Sequence, residues 1–233
     1  MEKFAIYEQM LKNELIVATG CTEPIALSLA GAKLVETLKG IPTHIDAYIC
    51  GNIIKNAKSV TVPNTNGLKG LKAAIAAGVA VGDSKNDLEI LSSLKEKDLY
   101  IINDFLEKDK IHIHLATNCK SLYINLKGYL KTDFVEIIIE DLHNNITFIK
   151  KNNQVILAKD DIIKQKKQEY NLLNVKDIIN FANTVDLTEL RPFLLRQIEY
   201  NSQIAIEGLK NNYGASTGKI LFEAATNVKD LAK

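Results

Sequence analysis

The residues with the clearest chemical potential lie in one short turn, Gly20-Cys21-Thr22-Glu23-Pro24. The turn separates two apolar stretches with helical spacing, and Thr22 is a residue type that often caps a helix. Glu23 and Pro24 suit the first turn of the helix that follows. Because unpaired backbone donors at a helix start favour a thiolate over a thiol, the pattern predicts Cys21 as a metal ligand or a nucleophile. The alternative is that Cys21 is a small buried apolar residue.

Two polar turns supply candidate substrate-binding groups. Asn52 and Lys55 follow a predicted strand over 44–50, and strand ends often line sites in α/β proteins. Asn64 and Thr65 belong to a turn before a predicted helix, where backbone amides can face a carboxylate or a phosphate. The glycines and lysine of the known nucleotide-binding loops are missing. A plain turn and a surface lysine are the alternatives.

The other cysteines and histidines give weaker signals. Cys50 ends an apolar strand and is expected in the core, whereas Cys119 is expected as a surface thiol. His112 and His114 share one face of a strand, a spacing that can begin a metal site, but a solvated sheet face is the favoured interpretation. Nothing in the spacing brings the three cysteines together. His143 lies in a polar turn, and no role is predicted for it.

The composition excludes several classes of protein. The 233 residues are 46% hydrophobic and 24% charged, which is typical of a globular domain. A net charge of +1 argues against a nucleic-acid or membrane partner. The sequence contains no apolar tract long enough to span a membrane, and it does not begin like a signal peptide. Since three widely spaced cysteines also fit a reducing compartment, we expect a cytoplasmic protein.

The elements that must position these residues predict an α+β fold. Residues 1–109 are predicted as a mostly helical body with short strands, and this part contains Cys21. Over residues 110–158 the apolar period changes to two, which predicts an antiparallel β-meander subdomain of four or five strands. Residues 159–233 are predicted as C-terminal helices that pack back on the N-terminal part.

The last predicted helix, over 217–231, has an apolar face that needs a partner. No glycine or proline stop signal follows it. We therefore expect more protein, in the same gene or in a partner chain, and association of the chain into a homo-oligomer.

The stretch Gly20-Cys21-Thr22-Glu23-Pro24-Ile25-Ala26-Leu27 resembles the N-terminal motif of the L-cysteine desulfidase family. This family is related to the α subunit of the iron–sulfur L-serine dehydratases. Two further stretches agree with it in the same order, over 51–57 and 62–91, and the C-terminal helices are compatible with it. The three stretches are specific together, and the resemblance covers most of the chain.

The resemblance implies an oxygen-sensitive lyase of amino-acid catabolism that works without pyridoxal phosphate. In the family, three cysteines hold a [4Fe–4S] cluster, and its open iron acts as a Lewis acid on the leaving group of a small amino acid. Loss of sulfide from L-cysteine, or of water from L-serine, then gives pyruvate and ammonia. Cys21 matches the first cluster cysteine, while Thr22 and Glu23 would shape its turn. The polar groups named above would face the substrate, and no general base is predicted.

The chain departs from the family pattern in its length. Family members are about twice as long, and their C-terminal half carries two more cluster cysteines and glycine-rich segments that are not recognisable here. Neither Cys50 nor Cys119 matches a ligand position. We therefore expect an N-terminal half that is inactive and cluster-free alone, with Cys21 exposed or partly exposed. The alternative is a non-enzymatic regulatory or assembly module that lost the cluster.

Overall fold

A computed structural model describes residues 2–159 and 170–227. The contacts group the described chain into two compact units. Residues 17–159 form what we call the sheet unit, and residues 2–16 with 170–227 form the helical unit. The helix that follows Cys21 and all the strands lie in the sheet unit, and the division into 1–109, 110–158 and 159–233 stays a prediction.

The elements follow one another as a helical stretch, a strand-rich stretch and a second helical stretch. In chain order they are α1 (Glu2–Glu14), α2 (Thr22–Leu38), β1 (His44–Cys50), α3 (Gly51–Ala57), α4 (Gly70–Val81), the 3₁₀ helices Asp87–Ser93 and Glu96–Asp98, α5 (Leu99–Glu107), β2 (Ile111–Ala116), β3 (Tyr123–Leu130), β4 (Asp133–Glu140), β5 (Ile146–Lys151), β6 (Gln154–Ala158), α6 (Val175–Thr184), α7 (Arg191–Lys210) and α8 (Thr217–Asn227). This combination confirms the α+β class.

The strands form one six-stranded sheet in the order β2-β1-β3-β4-β5-β6. Strands β3 to β6 are the antiparallel meander that the sequence predicts. The prediction was wrong for β2, which pairs in parallel with β1 and places His112 opposite Asp46. A parallel pair needs a long crossover, and residues 51–110 provide it. Alternating residues in a strand predict which face is buried but not which strand lies beside it.

Helix α2 lies between the sheet and α4. Its residues from Pro24 to Ala32 are all buried, which is typical of a helix enclosed on every side. The approach to α4 is close, because a Cβ built on Gly78 would lie 1.9 Å from the carbonyl oxygen of Ser28. Ser28 also donates its hydroxyl hydrogen to the carbonyl of Ala74 at 2.7 Å. Two helices in such contact fix the position of the start of α2, where Cys21 lies.

The helical unit joins the first helix of the chain to the C-terminal helices. Asn174 caps α6 by accepting a hydrogen bond from the backbone N–H of Asp177 at 3.0 Å. The ring of Phe181 packs edge-on against Phe4 and Tyr7, with centroid distances of 5.3 and 5.5 Å. Helix α8 was predicted to continue over residues 228–231, which lie outside the described residues. Within the described ranges, no helix is long and apolar enough to cross a membrane.

Candidate functional site

Cys21 is exposed and occupies the N-cap position of α2. The prediction that Thr22 is the cap was wrong, because the helix already begins at Thr22 and the cap makes no side-chain hydrogen bond. The turn before the helix depends on Gly20, whose φ of +157° is one that other residues rarely adopt. A Cβ at Gly20 would also lie 3.2 Å from Pro63. The turn that presents Cys21 therefore lies directly against the turn over 63–67.

The thiol of Cys21 is held by a neighbouring carboxylate. Its Sγ donates to Oε2 of Glu23 at 3.0 Å. Partial burial raises the pKa of the Cys21 thiol, and the hydrogen bond to Glu23 raises it further. The backbone N–H of Glu23 lowers this pKa but does not reverse the shift. The expectation of a stabilised thiolate was therefore wrong, because burial and the hydrogen bond to Glu23 together outweigh the backbone donor at the helix start.

Glu23 is itself fixed in place. Its Oε1 accepts a hydrogen bond from the side-chain amide of Asn56, in α3, at 3.0 Å. Burial acts to raise the pKa of the Glu23 carboxyl, but the hydrogen bonds from Cys21 and Asn56 lower it, and His143 lowers it further, so the net shift is downward. Glu23 is therefore an ionised carboxylate whose two oxygens contact groups from different parts of the chain.

His143 is a member of this site that the sequence analysis missed. It lies in the turn between β4 and β5, and its Nε2 is 3.3 Å from the hydroxyl oxygen of Thr22, which is 121 positions away in the sequence. Burial lowers the pKa of the His143 imidazole, although Glu23 acts in the opposite direction. The ring is therefore neutral near pH 7. Nothing in its local sequence, a polar turn, distinguishes it from a surface histidine.

The predicted substrate-binding residues of α3 are exposed. The side-chain amide of Asn52 donates to the carbonyl of Ser121 at 3.2 Å. Lys55 is exposed on the same short helix, which also carries Asn56. Asn52 and Lys55 thus share an element with a residue that contacts Glu23.

The two predicted residues of the 63–67 turn make structural contacts. Asn64 is exposed, but its amide donates to the carbonyl of Leu91 at 2.9 Å. Thr65 is buried, and its hydroxyl donates to the carbonyl of Val62 at 2.7 Å. Thr65 therefore has no surface that a ligand can reach in this structure, and the turn contributes to the site through Pro63 against Gly20.

The other cysteines do not join Cys21. Cys50 is buried, as predicted, and its Sγ donates to the carbonyl of Ser121 at 3.2 Å. Cys119 is half-buried rather than a surface thiol, and burial, with a smaller contribution from nearby Cys50, raises its pKa. Among the described residues, no group of three or more potential ligand side chains is placed to hold a metal ion. These residues thus supply one exposed thiol and do not form a three-thiolate cluster site.

His112 and His114 do share a face of the sheet. One oxygen of Asp46 lies 3.5 Å from Nδ1 of His112 and 3.2 Å from Nε2 of His114. Both histidines are exposed. This arrangement agrees with the favoured interpretation, a solvated face of the sheet.

The fold and the site define an α+β protein with an exposed thiol that donates a hydrogen bond to a carboxylate at the start of a buried helix. No family model matches the chain, and no solved structure matches it. It is similar to the UPF0597 protein of Finegoldia magna, with 42% identity over 97% of this chain and 55% of the relative. The UPF0597 protein of Treponema denticola is 39% identical over 91% of this chain and 50% of the relative.

A third relative, the UPF0597 protein of Desulfitobacterium hafniense, is 38% identical over 99% of this chain and 54% of the relative. The chain therefore spans about half the length of the curated relatives it matches. The names of these three relatives state no activity, so the function must be argued from the site.

Proposed function

We propose that this chain is the N-terminal part of a cytoplasmic iron–sulfur lyase that eliminates hydrogen sulfide from L-cysteine to give pyruvate, ammonia and sulfide. The observation that carries the proposal is the position of Cys21, exposed at the start of α2. The two other stretches that resemble the desulfidase family lie against the same turn, through Asn56 on Glu23 and Pro63 beside Gly20. Stretches far apart in the sequence thus lie against the turn that carries Cys21.

In this proposal Cys21 supplies one ligand of a [4Fe–4S] cluster. The described residues do not fit the whole cluster, which needs three thiolates, so the remaining ligands would come from a further polypeptide. The length of the relatives, about twice that of this chain, supports such a polypeptide. When bound, the cluster would supply a Lewis acid for the leaving group of the substrate.

The residues of this chain would orient the thiol and control its proton. Glu23 accepts the thiol hydrogen of Cys21, and Asn56 fixes the carboxylate of Glu23. Binding of a metal requires loss of the thiol proton, so metal binding would strengthen as the pH rises. The raised pKa of Cys21 would shift this dependence to higher pH and weaken binding near neutral pH. His143 contacts the same turn through the hydroxyl of Thr22.

The substrate-facing groups in the proposal are Asn52 and Lys55. Both are exposed on α3, beside the residue that contacts Glu23. The ammonium of Lys55 is suited to the carboxylate of an amino acid, and the amide of Asn52 can donate to the same group. Asn64 and Thr65 do not take this role, because their side chains donate hydrogen bonds to backbone carbonyls of the sheet unit.

The test is anaerobic reconstitution with iron and sulfide, using the whole chain together with the part of the Finegoldia magna relative that this chain does not match. We expect bound iron and sulfide, visible cluster absorbance, and pyruvate from L-cysteine. Cys21→Ala should lose the cluster and the activity, whereas Cys119→Ala, a matched control outside the site, should keep both.

The same experiment separates the alternatives. Faster pyruvate release from L-serine than from L-cysteine would favour a serine dehydratase. A stable complex that binds no cluster would favour a non-enzymatic module. Activity that persists in Cys21→Ala would overturn the proposal.

A further inference from the structure

The helical unit leaves most of its large apolar side chains in solvent. Its buried apolar cluster consists of Tyr7, Phe181 and Leu190, whereas the sheet unit has an extensive core. Most of the exposed large apolar residues of the described chain belong to the helical unit, although it is the smaller of the two. Single exposed apolar residues are ordinary, but a concentration of them marks an interaction surface.

The exposure is greatest along α7. This helix has 20 residues, and none of them is buried. At 3.6 residues per turn, Leu195, Ile198 and Ile206 fall within an arc of about 80°. Their exposed fractions are 52%, 60% and 51%. We call these three residues the first face of α7.

A second apolar face lies on the other side of the same helix. Ile204 is 70% exposed and Tyr200 is 43% exposed, and both lie well over 90° away from the first face. A surface helix normally presents one apolar stripe, whereas a helix with apolar residues all round is enclosed by other elements. Most of the stability of a helix in a protein comes from the packing of its apolar residues against other elements. Helix α7 therefore has the composition of a central helix of a bundle.

The neighbouring elements extend this surface. Val175 and Ile179 of α6 are 72% and 56% exposed, and Ile220 and Leu221 of α8 are 59% and 64% exposed. A groove of about 500 Å³ between α1, α6 and the start of α7 is lined almost entirely by apolar side chains such as Met10. The helical unit thus presents a groove and exposed helix faces rather than a closed core.

We propose that α7 is the docking surface for the polypeptide that makes up the rest of the relatives, and that the two together form one composite helical bundle. The length argues for this occupant, because about half of each relative lies outside the matched region. A second copy of this chain fits less well. A two-fold contact uses the same patch on both copies, so it would cover one face of α7 and leave the other in water. The inference does not depend on the proposed lyase chemistry.

The experiment uses the whole chain and, as the probe, the separately produced part of the Finegoldia magna relative that the chain does not match. We expect a one-to-one complex by size-exclusion chromatography with light scattering. Hydrogen exchange should show protection of backbone amides over 191–210 in the complex but not in the chain alone.

Substitutions test both faces of α7. Ile198→Asp on the first face and Ile204→Asp on the second should each weaken the complex by at least about tenfold, since a charge would be buried at a central apolar contact. Both side chains are exposed in the chain alone, so circular dichroism should show an unchanged fold. The matched control is Tyr100→Asp, which changes a side chain that is 67% exposed on α5 and should leave the affinity unchanged.

Three results would overturn the inference. One is the absence of a complex with the probe, and another is a complex whose affinity the α7 variants do not alter. The third is a chain that forms homodimers through α7 and no longer does so in Ile198→Asp, which would identify a second copy as the occupant. Binding is measured without iron or substrate, so a failed cluster reconstitution would leave this result standing.

Discussion

Replacing Gly78 by alanine should strongly destabilise the sheet unit, because α4 crosses α2 at this residue with no room for a side chain. The added Cβ would lie 1.9 Å from the carbonyl oxygen of Ser28. The closest ordinary C–H···O contacts are about 3.3 Å, so the two backbones would have to separate by more than about 1 Å. The atom in the way belongs to the backbone of a buried helix, which cannot turn aside as a flexible side chain can.

The expected cost is at the upper end of the range for overpacking, about 3 kcal/mol. For a unit of roughly 150 residues this corresponds to a fall in Tm of about 10 °C. The same substitution at Gly208 in α7 should have the opposite sign. A Cβ there meets nothing within 4 Å. Alanine is a better helix former than glycine by roughly 0.5–1 kcal/mol, so Gly208→Ala should stabilise α7 slightly.

The assay is thermal unfolding of the two variants and the unmodified chain, followed by circular dichroism. A Tm for Gly78→Ala within about 2 °C of the unmodified chain would refute the close contact between α2 and α4. It would also remove the physical basis for the fixed position of Cys21, because α2 is held at its start by this packing.

Two further predictions concern the site and its supporting turn. Glu23→Gln removes a carboxylate that raises the pKa of Cys21, so the thiolate should form at lower pH and alkylation of Cys21 near neutral pH should be severalfold faster. Peptide mass spectrometry should show an unchanged alkylation rate for Cys119. An equal or slower rate for Cys21 would contradict the assigned hydrogen bond. Thr65→Val leaves the buried carbonyl of Val62 without its donor and should lower the free energy of unfolding by about 1–3 kcal/mol, measured by chemical denaturation. Thr65→Ser keeps the hydroxyl and should lower it less. Equal decreases for the two variants would show that the hydroxyl is unimportant.

Local patterns predicted the elements with strong internal signals. Asn174 before an apolar period is a local signal for the start of α6, and the small residues of α4 are a local signal for a close-packed helix. The alternating residues of β3 to β6 predicted an antiparallel meander. Each of these signals is contained in a few consecutive residues, and the physical cause acts over the same short range.

Features that depend on distant parts of the chain were not predictable in this way. Strand β2 takes β1 as its neighbour through a crossover of about 60 residues, and no pattern within β2 encodes that choice. His143 reaches Thr22 only because the turn between β4 and β5 lies near the start of α2. Thr65 looked like a polar turn residue, but its burial depends on the packing around the turn.

The raised pKa of Cys21 bears on the two roles that the sequence predicts for this thiol. A free thiolate used as a nucleophile would be repelled by the Glu23 carboxylate, whose oxygen lies 3.0 Å from the sulfur. A metal cation bound to the same sulfur would instead be attracted by that carboxylate and would displace the thiol proton. Asn56 holds Glu23 in place and so preserves this preference. The carboxylate beside the sulfur thus supports the proposed role of Cys21 as a metal ligand over a role as a nucleophile.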